Sequence, residues 1–253
     1  MFKYPFADLN KINNVMNEKK LKSNTKLAFI HEAIGGKFHD KEKKIMTGCA
    51  VAIVNLGGFV IEVKDNELVL FNKPIEINDI LDNYRKSIGM SSFMSYLNPK
   101  NKSLNDISKS TMELKHYSVL HQINISLLIT GISIGVEHEF STQRDIIHLS
   151  RITVAKTQSQ SSPCLVLPDS KYINTYKKVL NLTQDILEKE KIDNQEIKNL
   201  LFPTAKASGL IINGSLRNLI KLVELKNSGG KEDEFIAALI EIEKVINLIY
   251  KNL

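Results

Sequence analysis

Two stretches of this chain combine cations, hydroxyls and histidines at spacings that suit an anionic ligand. The first is the segment 215–226, Ser-Leu-Arg-Asn-Leu-Ile-Lys-Leu-Val-Glu-Leu-Lys. Its apolar residues recur at helical spacing and leave Arg217, Lys221 and Lys226 off the apolar face. An ordinary amphipathic helix with solvated cations has the same pattern. The segment therefore indicates a binding site only if an independent stretch supports it.

The second stretch runs from His116 to Arg144 and contains three of the four histidines His116, His121, His138 and His148. No two of these have the i,i+4 spacing with which one helix face presents two imidazoles to a metal. We therefore expect hydrogen-bonded histidines and no metal. Nucleophilic catalysis has little support either, since no Gly-x-Ser-x-Gly turn is present and Cys164 adjoins an apolar strand, which is typical of a buried inert thiol.

Taken together, the two stretches resemble the flavin-dependent thymidylate synthases. That family carries His-x-Ser/Thr-x-x-Glu-His, a short apolar element, Gly-Val-Ser-Arg and Gln-x-x-Arg-His-Arg, and this chain aligns with it without a gap. The identical positions are His116, Ser118, Gly131, Ser133 and Arg144. In the family's Asn-Ala-Arg-x-Leu-x-x-Phe-Leu-x-Leu-Arg helix, Arg217 stands at the first Arg and Lys226 at the last. Pro203 falls twelve residues before Ser215, where the family has a Leu-Pro turn.

The chain also departs from the family pattern. His121 occupies the Glu position, Gln122 the His, and Ile134 the Arg after Ser133. Glu139 replaces the Gln, Thr142 and Gln143 replace the first two residues of Arg-His-Arg, and Ser215 replaces the Asn. The family's Ser-rich substrate loop matches Ser150 and Arg151 only if the loop is several residues shorter here. We therefore expect a divergent member, or a relative with an altered substrate.

The resemblance implies a specific activity. In the family, a methylene group passes from methylenetetrahydrofolate to C5 of dUMP, and FAD reduced by NADPH provides the hydride. By position, the FAD-binding residues here are Ser118, Gln143, Arg144, Ser215, Arg217, Lys221 and Lys226. Lys226 is also the expected catalytic residue at the pyrimidine edge, and the nucleotide is expected to contact Glu139, Ser150 and Arg151. Family members are homotetramers with FAD at subunit junctions. The alternative is a relative that has lost catalysis and serves as a binding or assembly module.

Whole-chain properties narrow the choice of partner only slightly. The 253 residues carry a formal net charge of +6, which suits a phosphate or dinucleotide. No aromatic platform or Arg stripe indicates nucleic-acid binding. The longest apolar patch, Ile123 to Val136, is too short to span a bilayer, and the N-terminal residues lack the pattern of a secretory signal. Two cysteines without paired spacing favour the reducing cytoplasm.

The periodicity of the chain predicts a helix-rich α+β fold with a small sheet. Strands are expected early, as two or three between Cys49 and Phe71, with a short one at 164–167; an exposed loop or helix end is expected at 37–44. The expected helices are 8–33, 78–96, 104–115, 171–191, 195–201, 210–226 and 232–250, with Asp8 or Asn10 as the start of the first and Ser103 as the N-cap of the third. The order of elements does not favour a doubly wound sheet. We expect residues 1–75 to form an N-terminal extension of uncertain role and residues 76–253 to form the flavin- and nucleotide-binding domain.

Overall fold

The computed structural model describes residues 7–19, 23–42, 44–56, 61–64, 67–70, 77–93, 102–151, 164–167, 173–191 and 206–253. The helices are α1 Leu9–Glu18, α2 Ser23–Ala33, α3 Ile77–Phe93, α4 Leu104–Glu113, α5 Ile134–Ser141, α6 Ile173–Lys189, α7 Leu216–Glu224 and α8 Asp233–Tyr250. Two 3-10 helices cover Tyr117–Gln122 and Leu225–Asn227. The strands are β1 Lys37–Asp40, β2 Ile45–Thr47, β3 Ala50–Asn55, β4 Ile61–Lys64, β5 Glu67–Leu70, β6 Asn124–Ser133, β7 His148–Arg151, β8 Leu165–Leu167 and β9 Ala207–Ser215.

An antiparallel sheet of four strands, in the order β3-β6-β9-β7, lies at the centre of the described fold. Strand β6 pairs with β9 over its whole length, from Asn124 opposite Ser215 to Ser133 opposite Ala207. Both faces of β6 are covered, so that every residue after Asn124 is buried, the apolar majority and the polar Ser126, Thr130 and Ser133 alike. One face packs against α3, α5, α7 and α8, and the other against α1 and α2. Smaller sheets join β1 to β2 and β8, and β4 to β5.

Side-chain caps mark the starts of two helices, α1 and α4, at the predicted positions. The Asp8 side chain accepts a hydrogen bond from Lys11 N at 2.9 Å and caps α1. Ser103 caps α4, and Asp106 completes a capping box by accepting from the Ser103 backbone N–H at 3.1 Å. These contacts satisfy N–H groups that the helix itself leaves without partners. The predicted starts of both helices are thus confirmed.

A buried histidine fastens α2 to the central sheet. The ring of His31 is fully buried, with Nδ1 2.8 Å from Thr130 Oγ1 and Nε2 3.0 Å from Lys37 O. Burial lowers the pKa of His31, although the hydrogen bond to Lys37 opposes that shift. Gly131 has φ +73°, and a Cβ at that position would lie 2.4 Å from Gly48 O and 2.5 Å from His31 Cε1. Only glycine fits this bulge in β6 without rearrangement.

Four sequence predictions about secondary structure are wrong. Residues 210–215, predicted as the start of a helix, belong to β9, because hydrogen bonds to β6 and β7 outweigh a pattern that also fits a helix. Residues 37–40, predicted as an exposed loop or helix end, pair with β2 as β1. The predicted helix 8–33 is two helices, α1 and α2. Strands are not confined to the early part of the chain either, since β6, β7 and β9 come from the second half.

Other predictions agree with the structure or fall outside its described part. The strand at 165–167 and the helices α3, α6 and α8 lie where the pattern predicted them. The helix expected at 195–201 and the turn expected at Pro203 lie outside the described residues. β3 of the N-terminal segment pairs with β6, but the proposed domain boundary at residue 75 stays a prediction. Among the described helices, none combines the length and apolar character needed to cross a bilayer.

Candidate functional site

The junction between β9 and α7 brings together several of the predicted site residues. Ser215 ends β9 and caps α7, with its Oγ accepting a hydrogen bond from Asn218 N at 3.2 Å. The same Oγ shares a hydrogen bond of 3.1 Å with His121 Nδ1. Leu216 N donates to Ile123 O at 2.7 Å. These contacts fix the 3-10 helix Tyr117–Gln122 against the N-terminus of α7.

Arg217 lies in the first turn of α7, above an aromatic pair. Its guanidinium carbon is 5.2 Å from the centroid of the Tyr117 ring, and that ring contacts Tyr250 edge-on at 6.5 Å. Burial raises the pKa of Tyr250, and a hydrogen bond with Tyr117 adds to the shift. A guanidinium that lies against the face of a ring does not use its N–H donors in that contact. The donors that point away from the ring can therefore bind a ligand. Lys221 follows one turn later and is exposed.

We call the group Tyr117, His121, Ser215 and Arg217 the α7 end. It combines a helix N-terminus with an adjacent guanidinium, an arrangement that attracts phosphate. The diphosphate of FAD requires N–H donors and positive charge, and both are available here from Arg217, Lys221 and the first turn of α7. The residues at this end thus fit the phosphate part of that cofactor. Ser118 is exposed on the neighbouring 3-10 helix.

Two more predicted site residues, Gln143 and Arg144, lie in the turn after α5, which leads toward the α7 end. Gln143 donates through Nε2 to Thr142 Oγ1 at 2.9 Å, and the exposed Arg144 donates through Nε to Ser141 O at 3.3 Å. The chain then passes Gly214, where a Cβ would lie 3.5 Å from Ile146 O. Gly214 directly precedes Ser215, so this turn leads to the end of β9 that starts α7.

Lys226 lies at the opposite end of α7 from Ser215. The helix has nine residues and is about 13 Å long at the usual rise per residue. The Lys226 amine forms a partly buried ion pair with Glu243 of α8. Its charge is therefore compensated within the chain. A role for Lys226 in catalysis stays a prediction.

A second polar group, which we call the α5 end, consists of Ser133, Glu137, Arg151 and Ser208. Glu137 is buried, forms an ion pair with Arg151 Nε and accepts a hydrogen bond from Ser208 Oγ. Ser133 caps α5, and its backbone N–H donates to Glu234 Oε1 at 2.7 Å. Burial raises the pKa of Glu234. Positive and negative groups at this end are therefore largely paired with each other.

The residues expected to contact the nucleotide do not share one surface. Ser150 and Arg151 are neighbours in β7, so their side chains leave opposite faces of the sheet. Glu139 forms a 3.1 Å ion pair with Lys231, which also lies 5.5 Å from the centroid of the Phe235 ring. Arg151 is opposite Leu210, five residues before Ser215 in β9 and about 17 Å away along the strand. Within one chain, Arg151 therefore does not reach the α7 end.

Sequence reasoning missed the partners that hold these residues. Tyr117 lies inside the matched motif and was detectable as an aromatic residue, whereas Glu137, Lys231 and Glu243 have no signal in the sequence pattern. No group of three or more potential metal ligands occurs among the described residues. Burial raises the pKa of Cys164 to about 11, and it also raises the pKa of Cys49. The two thiols are thus poor nucleophiles near neutral pH.

The fold and the α7 end define the class: an α+β protein whose antiparallel sheet carries a cationic helix N-terminus suited to an anionic ligand. Residues 83–251 match the family model described as thymidylate synthase complementing protein. The match covers more than half of the sequence, and the chain belongs to this family. The family resemblance and the helix-rich α+β fold expected from the sequence are confirmed.

Two of the similar solved structures agree with that fold. The UMP/dUMP methylase PolB from Streptomyces cacaoi, bound with 5-Br UMP, superposes with a TM-score of 0.52 at 10% identity over 82% of this chain and 94% of that chain. The same protein bound with 5-Br dUMP gives 0.51 at 11% identity, covering 82% and 96%. ThyX from Helicobacter pylori, complexed with FAD and dUMP, gives 0.49 at 15% identity, covering 64% and 88%. A search among curated proteins found no match.

Proposed function

We propose that this chain is an FAD-dependent enzyme that methylates a pyrimidine nucleotide of the dUMP type. Family membership over residues 83–251 gives the class of reaction. The observation that carries the cofactor assignment is Arg217, which rests on Tyr117 at a helix N-terminus with its donors available to an anion.

The protein's part in this proposal is binding and positioning. Bound FAD supplies the hydride, which no side chain of the chain can provide. Arg217, Lys221 and Arg144 supply positive charge for its phosphates and ring carbonyls. Hydrogen bonds come from Ser118 and from Gln143 in the turn after α5. Ser215 orders the first turn of α7, because its hydroxyl is fixed by His121 and Asn218.

Carbon and electrons come from co-substrates in this proposal. Methylenetetrahydrofolate donates the methylene group, and NADPH reduces the flavin, as the family resemblance implies. The nucleotide contacts Glu139, Arg151 and Ser150. Lys226 lies at the pyrimidine edge, where its ion pair with Glu243 keeps its amine in place. An ammonium offers a point charge where the family has a planar guanidinium, so the geometry of that contact differs here.

We further propose a homotetramer in which copies of the chain complete each site. Arg151 is far along the strand from the α7 end within one chain. In such an assembly, as in the family, each site takes residues from two subunits, so Arg151 and the α7 end of one site come from different chains. The cytoplasm is the proposed compartment, because Cys49 and Cys164 form no disulfide.

A second candidate function is a binding or assembly module that has lost catalysis. Gln122 stands at the family's His, and its amide is engaged by α3 through Ser87 Oγ at 2.7 Å and Ser91 Oγ at 2.5 Å. His121, at the family's Glu, is engaged by Ser215. Both residues thus have contacts that hold the fold together, and these contacts favour this alternative over retained chemistry at the two positions.

Flavin uptake distinguishes the two candidates. The purified chain is incubated with FAD, passed over a desalting column and examined for flavin absorbance, and FAD affinity is measured by titration. A yellow protein that methylates dUMP or UMP with methylenetetrahydrofolate and NADPH supports the enzyme. A colourless protein that takes up no added FAD contradicts it and supports the binding module.

A further inference from the structure

Glu137 is an unusual residue for its place in the fold. It lies in the first turn of α5, on the side that packs against β9, and is only 6% exposed. Its neighbours on the same side of the helix, Val136 and Phe140, are fully buried and apolar. Both of its carboxylate oxygens are occupied, Oε1 by Arg151 Nε and Oε2 by Ser208 Oγ. The carboxylate is therefore fixed in position.

Stability does not explain this carboxylate. Removing a carboxylate from water costs several kcal/mol, and a buried ion pair often contributes no more than apolar residues of similar volume. An apolar residue at position 137 would extend the surface that Val136 and Phe140 already form. Glu137 instead affects the position of Arg151, its ion-pair partner.

Arg151 is held by one edge of its guanidinium. Its side chain is 56% exposed and projects from β7, the edge strand of the central sheet. The ion pair uses Nε, and among the described residues no contact engages Nη1 or Nη2. Glu137 thus removes the rotational freedom of a long side chain while its terminal donors stay accessible. A guanidinium oriented in this way suits the oxygens of a phosphate monoester.

We propose that Glu137 is a positioning residue, which acts through Arg151 to bind the phosphate of the pyrimidine nucleotide. This inference rests on the proposed function. Ser208 contributes by holding the second oxygen of the carboxylate. The role is specific to the phosphate: Glu137 has no part in recognising the base.

The test compares a ligand that has the phosphate with one that lacks it. Affinities for dUMP and deoxyuridine are measured by calorimetry on the FAD-loaded protein and on Glu137→Gln, Arg151→Ala and the double variant. Arg151→Ala should weaken dUMP binding by about tenfold or more, and Glu137→Gln by about tenfold. The double variant should bind dUMP no more weakly than Arg151→Ala alone, because Glu137 acts only through Arg151. Deoxyuridine affinity should be the same for all four proteins.

Two further variants separate positioning from general effects of charge. Arg151→Lys keeps the charge but loses the fork, and it should recover only part of the dUMP affinity lost in Arg151→Ala. Glu241→Gln breaks a surface ion pair with Lys244 on α8 and should change neither affinity. Urea unfolding of each variant shows whether it is folded under the conditions of the titration.

The outcomes distinguish this inference from the function on which it rests. Equal weakening of dUMP and deoxyuridine by Glu137→Gln, or further weakening by it in the Arg151→Ala background, overturns the positioning role. If deoxyuridine binds and dUMP affinity is unchanged in Arg151→Ala, the inference fails while the proposed function stands. If neither ligand binds the unmodified protein, the proposed substrate class fails and this inference fails with it.

Discussion

The two ends of the β6–β9 pair use polar residues in opposite ways. At the α7 end, Arg217 contacts a ring face and Lys221 is exposed, so positive charge is not matched by a neighbouring carboxylate among the described contacts. At the α5 end, Glu137 is buried and paired with Arg151. Polar side chains are present at both ends, but only one end offers uncompensated charge to a ligand.

This difference shows two ways in which the fold supports a cation, on a neutral ring at the α7 end and on a buried carboxylate at the α5 end. A cation supported by a neutral partner can attract phosphate without first breaking an ion pair. A carboxylate inside an apolar interface must keep its partners, since an unpaired buried charge is costly. Substitutions in the apolar core beneath the α5 end should therefore affect folding most, and substitutions of the cations at the α7 end should affect ligand binding more than stability.

The largest effect is expected from the core beneath the α5 end. Phe140 and Phe235 are fully buried and contact each other edge-on, with ring centroids 4.9 Å apart. Phe235→Ala should lower the free energy of unfolding by about 3–5 kcal/mol, because it removes both apolar area and a packed neighbour. Urea unfolding measures the change. Ile240→Ala, at a 40% exposed position of the same helix, is the control and should cost about 0.5 kcal/mol. An equal decrease in the free energy of unfolding for the two variants would contradict this prediction.

The next effect concerns FAD and the α7 end. Arg217→Ala and Arg144→Ala should each weaken FAD binding by roughly 1.5–3 kcal/mol, since each removes a charge-assisted hydrogen bond. The loss in stability from Arg217→Ala should stay near about 0.5–1 kcal/mol, the usual worth of an exposed cation–π contact. Titration with FAD and urea unfolding give the two numbers, with Lys244→Ala as a control for loss of a surface cation. Unchanged FAD titrations in both Arg variants would remove the main support for the flavin assignment.

A smaller effect is expected at Glu139, whose charge Lys231 partly compensates. Glu139→Gln should strengthen dUMP binding, by about tenfold or 1.4 kcal/mol, because it removes a carboxylate from near the phosphate and releases the Lys231 ammonium. Calorimetric titration with dUMP measures it. The gain should disappear when Lys231→Met is combined with Glu139→Gln. Weaker binding by the Gln variant would mean that Glu139 does not face the nucleotide.

The smallest effect is a pH dependence of stability from His31, which packs on the same half of β6 as the α5 end. Burial lowers the pKa of His31 in the folded chain below its ordinary value of 6.5. As pH falls below about 6.5, the unfolded chain binds a proton that the folded chain does not, so stability is lost. Stability should rise again as pH increases to neutrality, with a slope of at most about 1.4 kcal/mol per pH unit for one proton.

Urea unfolding from about pH 5 to about pH 7.5, a range that spans the ordinary histidine pKa of 6.5, measures this dependence. His31→Gln should flatten the curve, whereas His148→Gln, which changes an exposed histidine of β7, is the control and should retain it. The same slope in the His31 variant would show that another group produces the pH dependence.

Part of the candidate site could be predicted from the sequence because it depends on short spacings. Arg217 and Lys221 share a helix face four residues apart, and His116, Ser118 and Arg144 match a family motif without a gap. The partners could not be predicted, since Tyr117 meets Arg217 and Lys226 meets Glu243 only after the chain folds back. The same limit applies to the strand at 210–215, whose apolar residues fit a helix or a strand equally well until β6 and β7 pair with it.

The sequence by itself determined the family, the helix-rich α+β class and the helix starts at Asp8 and Ser103, because caps and periodicity act over a few residues. The tertiary structure alone decided which charges are compensated and which end of the sheet each predicted residue occupies. Contacts such as Ser208 with Glu137 and His121 with Ser215 join positions 71 and 94 residues apart. No local pattern encodes such contacts, because they form only when the strands take their register in the sheet.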